Sequence, residues 1–207
     1  SPDRRFLYLA LRSKPFKVAS FAIDGQTGKL TLLGYTPVVE SVVNLSTDRT
    51  GRWLLCAINP NEDHTTLDRY AGGRRTGMVC VMPIGERGVV QGPWEAFRTP
   101  PKLHSLLPDP TNRYLFGMCC DADVVWRHEF DAVTGIVNPD ALPPIGVLRK
   151  AGPRHFKFHP NNRFMYLVNE YDGAVYTFRY DVRNASLQEL QILPSAPPDY
   201  DMSKHTR

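Results

Sequence analysis

The chain alternates between short apolar runs of period two and clusters of Gly, Asn, Asp and Thr. Such runs predict β-strands separated by tight turns. Four runs open directly after a turn that ends in Arg: Phe6–Ala10 after Arg5, Trp53–Ala57 after Arg52, Tyr114–Gly117 after Arg113, and Phe164–Leu167 after Arg163. Each is followed by a second strand of alternating character: Val18–Asp24, Met78–Ile84, Val124–Asp131 and Ala174–Asp181. Another strand precedes the Arg turn at Val42–Leu45, Leu103–Leu107 and His155–Phe158. A further one follows the second strand at Lys29–Leu33 and Ser186–Leu190.

This order repeats. The turn arginines at 5, 52, 113 and 163 are separated by 47, 61 and 50 residues. Four antiparallel strands in about 50 residues make one blade of a β-propeller. The fold class is therefore all-β, with about four blades visible. The long second step is assigned to a polar, Gly-rich insertion from Asn61 to Arg75. A β-sandwich of equal strand count would not keep Arg and Thr-Gly turns in one register across four segments. The repeated Arg is expected to be structural, holding the turn outside each blade.

Residues at one repeat position occupy the same place on successive blades. Nine residues before each turn Arg lie Val43, His104 and Arg154, at the start of the innermost strand. Seven residues after it lie Arg12, Asn59, Cys120 and Glu170, at the end of the next strand. In antiparallel strands those two ends open on the same face. His104, Arg154 and Glu170 are thus expected to meet at one mouth of the channel, from neighbouring blades. A histidine can take a proton from water, a guanidinium can hold an anion or oxyanion, and a carboxylate can orient either or pass a proton on. The competing reading is a strand histidine beside a structural Arg154–Glu170 ion pair.

Composition narrows the function classes. With 25 basic and 21 acidic residues the net charge is +4, and no dense basic run suggests nucleic acid. A small anionic substrate is compatible with that charge. No apolar stretch is long enough for a membrane span. Cys56, Cys80, Cys119 and Cys120 form no C-x-x-C pair and read as buried thiols of a reducing compartment, hence a cytoplasmic location. His155 and His159 stand four apart on one strand, about 13 Å, too far for one metal ion. Glu62-Asp63-His64 reads as a solvated loop, and Gly72-Gly73-Arg74-Arg75 follows no strand-to-helix turn that would make a phosphate loop. The opening Ser1-Pro2-Asp3-Arg4-Arg5 reads as a turn into a strand, as in a chain cut from a longer one.

The segment Ala151-Gly152-Pro153-Arg154-His155-Phe156-Lys157-Phe158-His159-Pro160-Asn161, followed by Tyr166-Leu167-Val168-Asn169-Glu170, resembles the signature of bacterial 6-phosphogluconolactonases. The wider group includes the 3-carboxy-cis,cis-muconate lactonizing enzymes. Ser1-Pro2-Asp3-Arg4-Arg5-Phe6-Leu7-Tyr8, the His104-Ser105 step and the tail Lys204-His205-Thr206-Arg207 resemble the same family. The resemblance implies a seven-bladed ring of which blades two to five are present, truncated at both ends. It implies His104 as base, Arg154 as oxyanion and anion clamp, Glu170 as acid or base, and Arg207 as a further substrate clamp. It also implies no metal, no cofactor, and a small anionic lactone or carboxylate as substrate. Cys119-Cys120, in place of small polar residues at the mouth, departs from the family pattern. Three functions stay open: a sugar-lactone hydrolase, a lactonizing muconate cycloisomerase, and a non-catalytic binding scaffold.

Overall fold

The computed structural model describes residues 1–59, 76–93, 95–138, 142–147, 149–197 and 199–200. The expectations for Asn61–Arg75 and for Arg207 fall outside these residues. Among the described residues, sixteen strands form four antiparallel sheets. The first holds β1 (Phe6–Leu11), β2 (Lys17–Ile23) and β3 (Leu30–Pro37). The second holds β4 (Val42–Thr47), β5 (Trp53–Ile58), β6 (Gly77–Pro83) and β7 (Glu95–Thr99). The third orders β8 (Leu103–Pro108), β9 (Tyr114–Cys119), β10 (Val124–Phe130) and β11 (Val137–Asn138), with β12 (Ile145–Gly146) also on β10. The fourth holds β13 (Pro153–Phe158), β14 (Phe164–Asn169), β15 (Ala174–Asp181) and β16 (Ser186–Pro194).

The expected strands are all present, within a few residues at their ends. The outer strands of the second and third blades, β7, β11 and β12, are additions. Two of them are only two residues long, so they carry no periodicity to read. Among the described residues the first sheet has three strands.

Burial follows the stacking of sheet on sheet. Every residue of β5 and β9 is buried, because both faces of these strands are covered. Leu54, Cys56 and Ile58 pack toward the first sheet with Val18 and Met82, while Trp53, Leu55 and Ala57 pack toward the third with Leu106 and Trp126. A third core joins Phe116, Met118 and Val125 to Phe156, Leu167, Tyr176 and Phe178 of the fourth sheet. The end sheets are covered on one side only. Leu7 and Leu9 of β1 are 40% and 50% exposed, and Tyr166 and Val168 of β14 are 40% and 36% exposed. Their alternate neighbours are the ones that pack inward.

The repeated arginine turn is a clamp between blades. The Arg52 Nη2 donates to the Ala132 carbonyl at 2.8 Å, and Arg113 Nη2 to the Val182 carbonyl at 2.7 Å. Each acceptor lies in the turn that joins the third and fourth strands of the next sheet. The aromatic residue after the Arg joins in: Trp53 Nε1 donates to the same Ala132 carbonyl, and the Tyr114 hydroxyl to that of Arg183. Fully buried Asp48 and Asp109 organise the turns, each accepting from the backbone N–H of the Arg and of the aromatic residue. They also receive side chains from the neighbouring blade, Asn112 on Asp48 and Tyr180 on Asp109. The structural role expected of the repeated Arg is therefore observed at Arg52 and Arg113, and their target is the neighbouring sheet.

Candidate active site

Three β-bulges build the site. The pairing of β4 with β5 slips between Val42 and Asn44, that of β8 with β9 between Leu103 and Ser105, and that of β13 with β14 between Pro153 and His155. The skipped residues are Val43, His104 and Arg154, the three residues nine before their turn arginines. A bulge leaves its extra residue out of the ladder and re-aims its side chain. In the second blade that residue is an inert valine. In the third and fourth it is the histidine and the arginine.

Arg154 Nε–H donates to His104 Nε2 at 3.1 Å, across the gap between the two blades. The same Nε lies 3.3 Å from Glu170 Oε2, just beyond the end of β14. The three expected residues therefore do meet at one rim. Because the Arg154 donor is unambiguous, His104 Nε2 is an acceptor and the ring proton sits on Nδ1, which is buried without a hydrogen-bond partner. The terminal nitrogens of Arg154 have no hydrogen-bond partner among the described residues, and its side chain is 41% exposed. The guanidinium is thus held by its inner edge and presents an open two-nitrogen fork, the geometry suited to a carboxylate, a phosphate or an oxyanion.

The electrostatics fit that picture. Burial, followed by the charges of Arg154, His155 and Lys102, pushes the His104 pKa down to about 4, with Glu170 opposing. His104 is therefore neutral across the physiological range. The His155 ring stands edge-on to it at 4.8 Å and is lowered as well, by burial first and Arg154 second. Its companion His159 packs on Phe164 and Tyr166, well away from the mouth.

Three further residues belong to the rim and had no place in the register reading. Lys102 Nζ lies 3.7 Å from Glu170 Oε2 and 3.6 Å from Asp121, and donates to the Tyr171 hydroxyl at 2.7 Å. That hydroxyl in turn donates to Asp121. Charge balances across the group: Lys102 and Arg154 against Glu170 and Asp121. Cys120, at the mouth position of the third blade, is buried and directs its thiol to the Pro153 carbonyl. Burial, chiefly, raises its pKa to about 12, so it acts as packing and not as a nucleophile.

Comparison with known proteins now adds the family. A model of the seven-bladed β-propeller lactonases matches residues 1–206. The chain belongs to this family. The 6-phosphogluconolactonase of Pectobacterium carotovorum subsp. carotovorum (strain PC1) is 34% identical over 201 residues, 97% of this chain and 55% of that protein. Its counterpart from Pectobacterium atrosepticum is 33% identical over 200 residues, with the same coverage. The chain spans about half the length of the curated relatives it matches. The periplasmic gluconolactonase of Pseudomonas aeruginosa superposes with a TM-score of 0.81 at 21% identity, over 97% of this chain and 57% of that one, which shows the shared fold. Within this lactonase-family arc, the bulge residues of two adjacent blades supply the open guanidinium and its histidine.

Proposed function

We propose that the propeller to which this arc belongs hydrolyses a small anionic sugar lactone of the 6-phosphogluconolactone kind. The observation that carries the reading is Arg154, anchored through Nε by His104 and Glu170 and open along its outer edge. In this reading the fork engages the lactone carbonyl and stabilises the oxyanion that forms when water adds. His104 takes the proton from that water, and Glu170 carries it to the departing ring oxygen. The resting geometry imposes an order. The lone pair of His104 Nε2 is occupied by Arg154, so the guanidinium must turn toward substrate before the ring can act as a base. A bound anion also offsets the Arg154 charge that helps hold His104 down, which raises the basicity of the ring when it is needed. Arg207 serves as a second substrate clamp on the resemblance alone.

The remaining blades of a seven-bladed ring cover Leu7 and Leu9 at one end of the arc and Tyr166 and Val168 at the other. The four buried, free thiols support a cytoplasmic location. The reaction is tested by assaying the complete propeller against 6-phosphogluconolactone, glucono-δ-lactone and 3-carboxymuconate. Ring opening of the lactones is expected. Turnover of carboxymuconate alone would replace hydrolysis by cycloisomerisation, and turnover of none would leave a binding scaffold. His104→Ala turning over lactone within a few-fold of the parent would remove the histidine from the base role.

A further inference from the structure

Lys102 occupies an unusual backbone position. It lies eleven residues before the turn arginine of its blade, at φ +58. The equivalent residue of the next blade is Gly152, at φ +67. Both carbonyls accept the same repeat-equivalent backbone bond, from Cys120 N–H at 3.0 Å and from Glu170 N–H at 2.7 Å. The third and fourth blades therefore share a left-handed residue here. The fourth blade uses glycine, to which that region is open without cost, and the Tyr171 ring occupies the space a Cβ would need, 2.5 Å from it. The third blade instead keeps a lysine, in a conformation that is unfavourable for a residue with a Cβ. A residue retained against backbone preference points to its side chain.

That side chain crosses to the fourth blade. It reaches Glu170, Asp121 and Tyr171, and with Arg154 it places a cation against the Glu170 carboxylate. When Arg154 turns toward substrate, Lys102 stays beside Glu170. We infer that Lys102, braced by Tyr171 and Asp121, is a positioning residue that holds Glu170 at the channel mouth while Arg154 serves the substrate. This rests on the hydrolytic reading of the same site. Burial pulls the Lys102 ammonium down, but the Tyr171 hydroxyl and the two carboxylates outweigh it, so the group stays charged throughout the working pH range. Lys102 is not itself an anion clamp, because its donors are committed to Tyr171 and the carboxylates.

The test is Lys102→Gly in the complete propeller, with Lys102→Arg as the conservative variant. Glycine removes the cation and relieves the left-handed backbone together. The expected result is an unchanged or raised Tm, a kcat at least tenfold lower, and a KM within threefold of the parent. Lys102→Arg should restore kcat to within about fivefold. A fall in Tm with unaltered kcat would make the lysine structural and overturn the inference. A tenfold rise in KM at unaltered kcat would overturn it too, since Lys102 would then bind substrate directly. Histidine NMR supplies a readout independent of turnover. Loss of the Lys102 charge should move the His104 titration upward, since that charge lowers it. If the parent turned over neither lactone, the hydrolytic reading would fall. The NMR titration would still decide the placement of Lys102: an unmoved His104 sinks it, and a raised one sustains it.

Discussion

The inter-blade clamp can be tested with two glycines in nearly the same turn. Gly135 closes the turn from Asp131 and Gly28 the turn from Asp24; their N–H groups donate to the Asp carbonyls at 2.7 and 2.8 Å. Their φ values are +79 and +70. Alanine at either position incurs the left-handed penalty, about 1–2 kcal/mol. The surroundings differ. A Cβ at Gly135 would stand 2.6 Å from the Trp53 ring of the preceding blade, whereas a Cβ at Gly28 meets nothing within 4 Å. Trp53 is 8% exposed and tied to Ala132 through Nε1, so it has little room to retreat. Overpacking of this kind costs about 1–3 kcal/mol. Gly135→Ala should therefore be more damaging than Gly28→Ala by that amount, which is several degrees of Tm for a chain of this size. Thermal and urea unfolding of the 207-residue chain measure the difference. Equal losses would refute the packing argument. In a chain carrying the remaining blades the gap should close, because an aromatic residue of the preceding blade would then sit on Gly28 as Trp53 sits on Gly135. A gap that persisted there would count against ring closure over the first sheet.

Other outcomes follow from the site and the turns. Arg154→Gln in the complete propeller removes the fork and should lower kcat/KM by roughly 10²–10³-fold, the loss typical of one oxyanion donor set; steady-state kinetics on a δ-lactone measure it. An unfolded histidine titrates near 6.5 and folded His104 near about 4. Between those values the unfolded chain binds the extra proton, so stability falls as pH drops through that window, by at most about 1.4 kcal/mol per pH unit. The difference between parent and His104→Gln isolates this slope, and identical acid profiles would contradict it. Asp109→Ala strands the Arg113 and Tyr114 N–H groups and the Tyr180 hydroxyl, and should cost about 3 kcal/mol or more by denaturant titration. The four thiols are buried, with burial raising the pKa of Cys80 to about 11 and of Cys120 to about 12. They should resist a thiol reagent in the folded chain and react once it is unfolded.

The repeat was legible because propeller strands announce themselves locally. Alternation and the Arg turn recur in each segment, a Thr-Gly turn in two of them, and similar local sequence makes similar local structure. Counting from the turn arginines even brought His104, Arg154 and Glu170 to one rim. The physical cause of that convergence, a bulge at the same place on three innermost strands, has no local sequence signature, since a valine fills it in the second blade. The strands β11 and β12 escaped for a related reason: two residues show no period, and they exist only because β10 offers an edge. Lys102 and Asp121 meet through the pairing of β8 with β9, and only the docking of the fourth blade against the third brings Tyr171 to them. Their shared element was in principle readable, since Lys102 stands at the register position of Gly152. A lysine in a turn nevertheless reads as a solvated charge until a neighbouring blade is set beside it. Sequence determined the blades, through interactions within each sheet. Tertiary structure decided the mouth, because the contacts of His104 with Arg154 and of Lys102 with Glu170 and Tyr171 cross from one blade to the next.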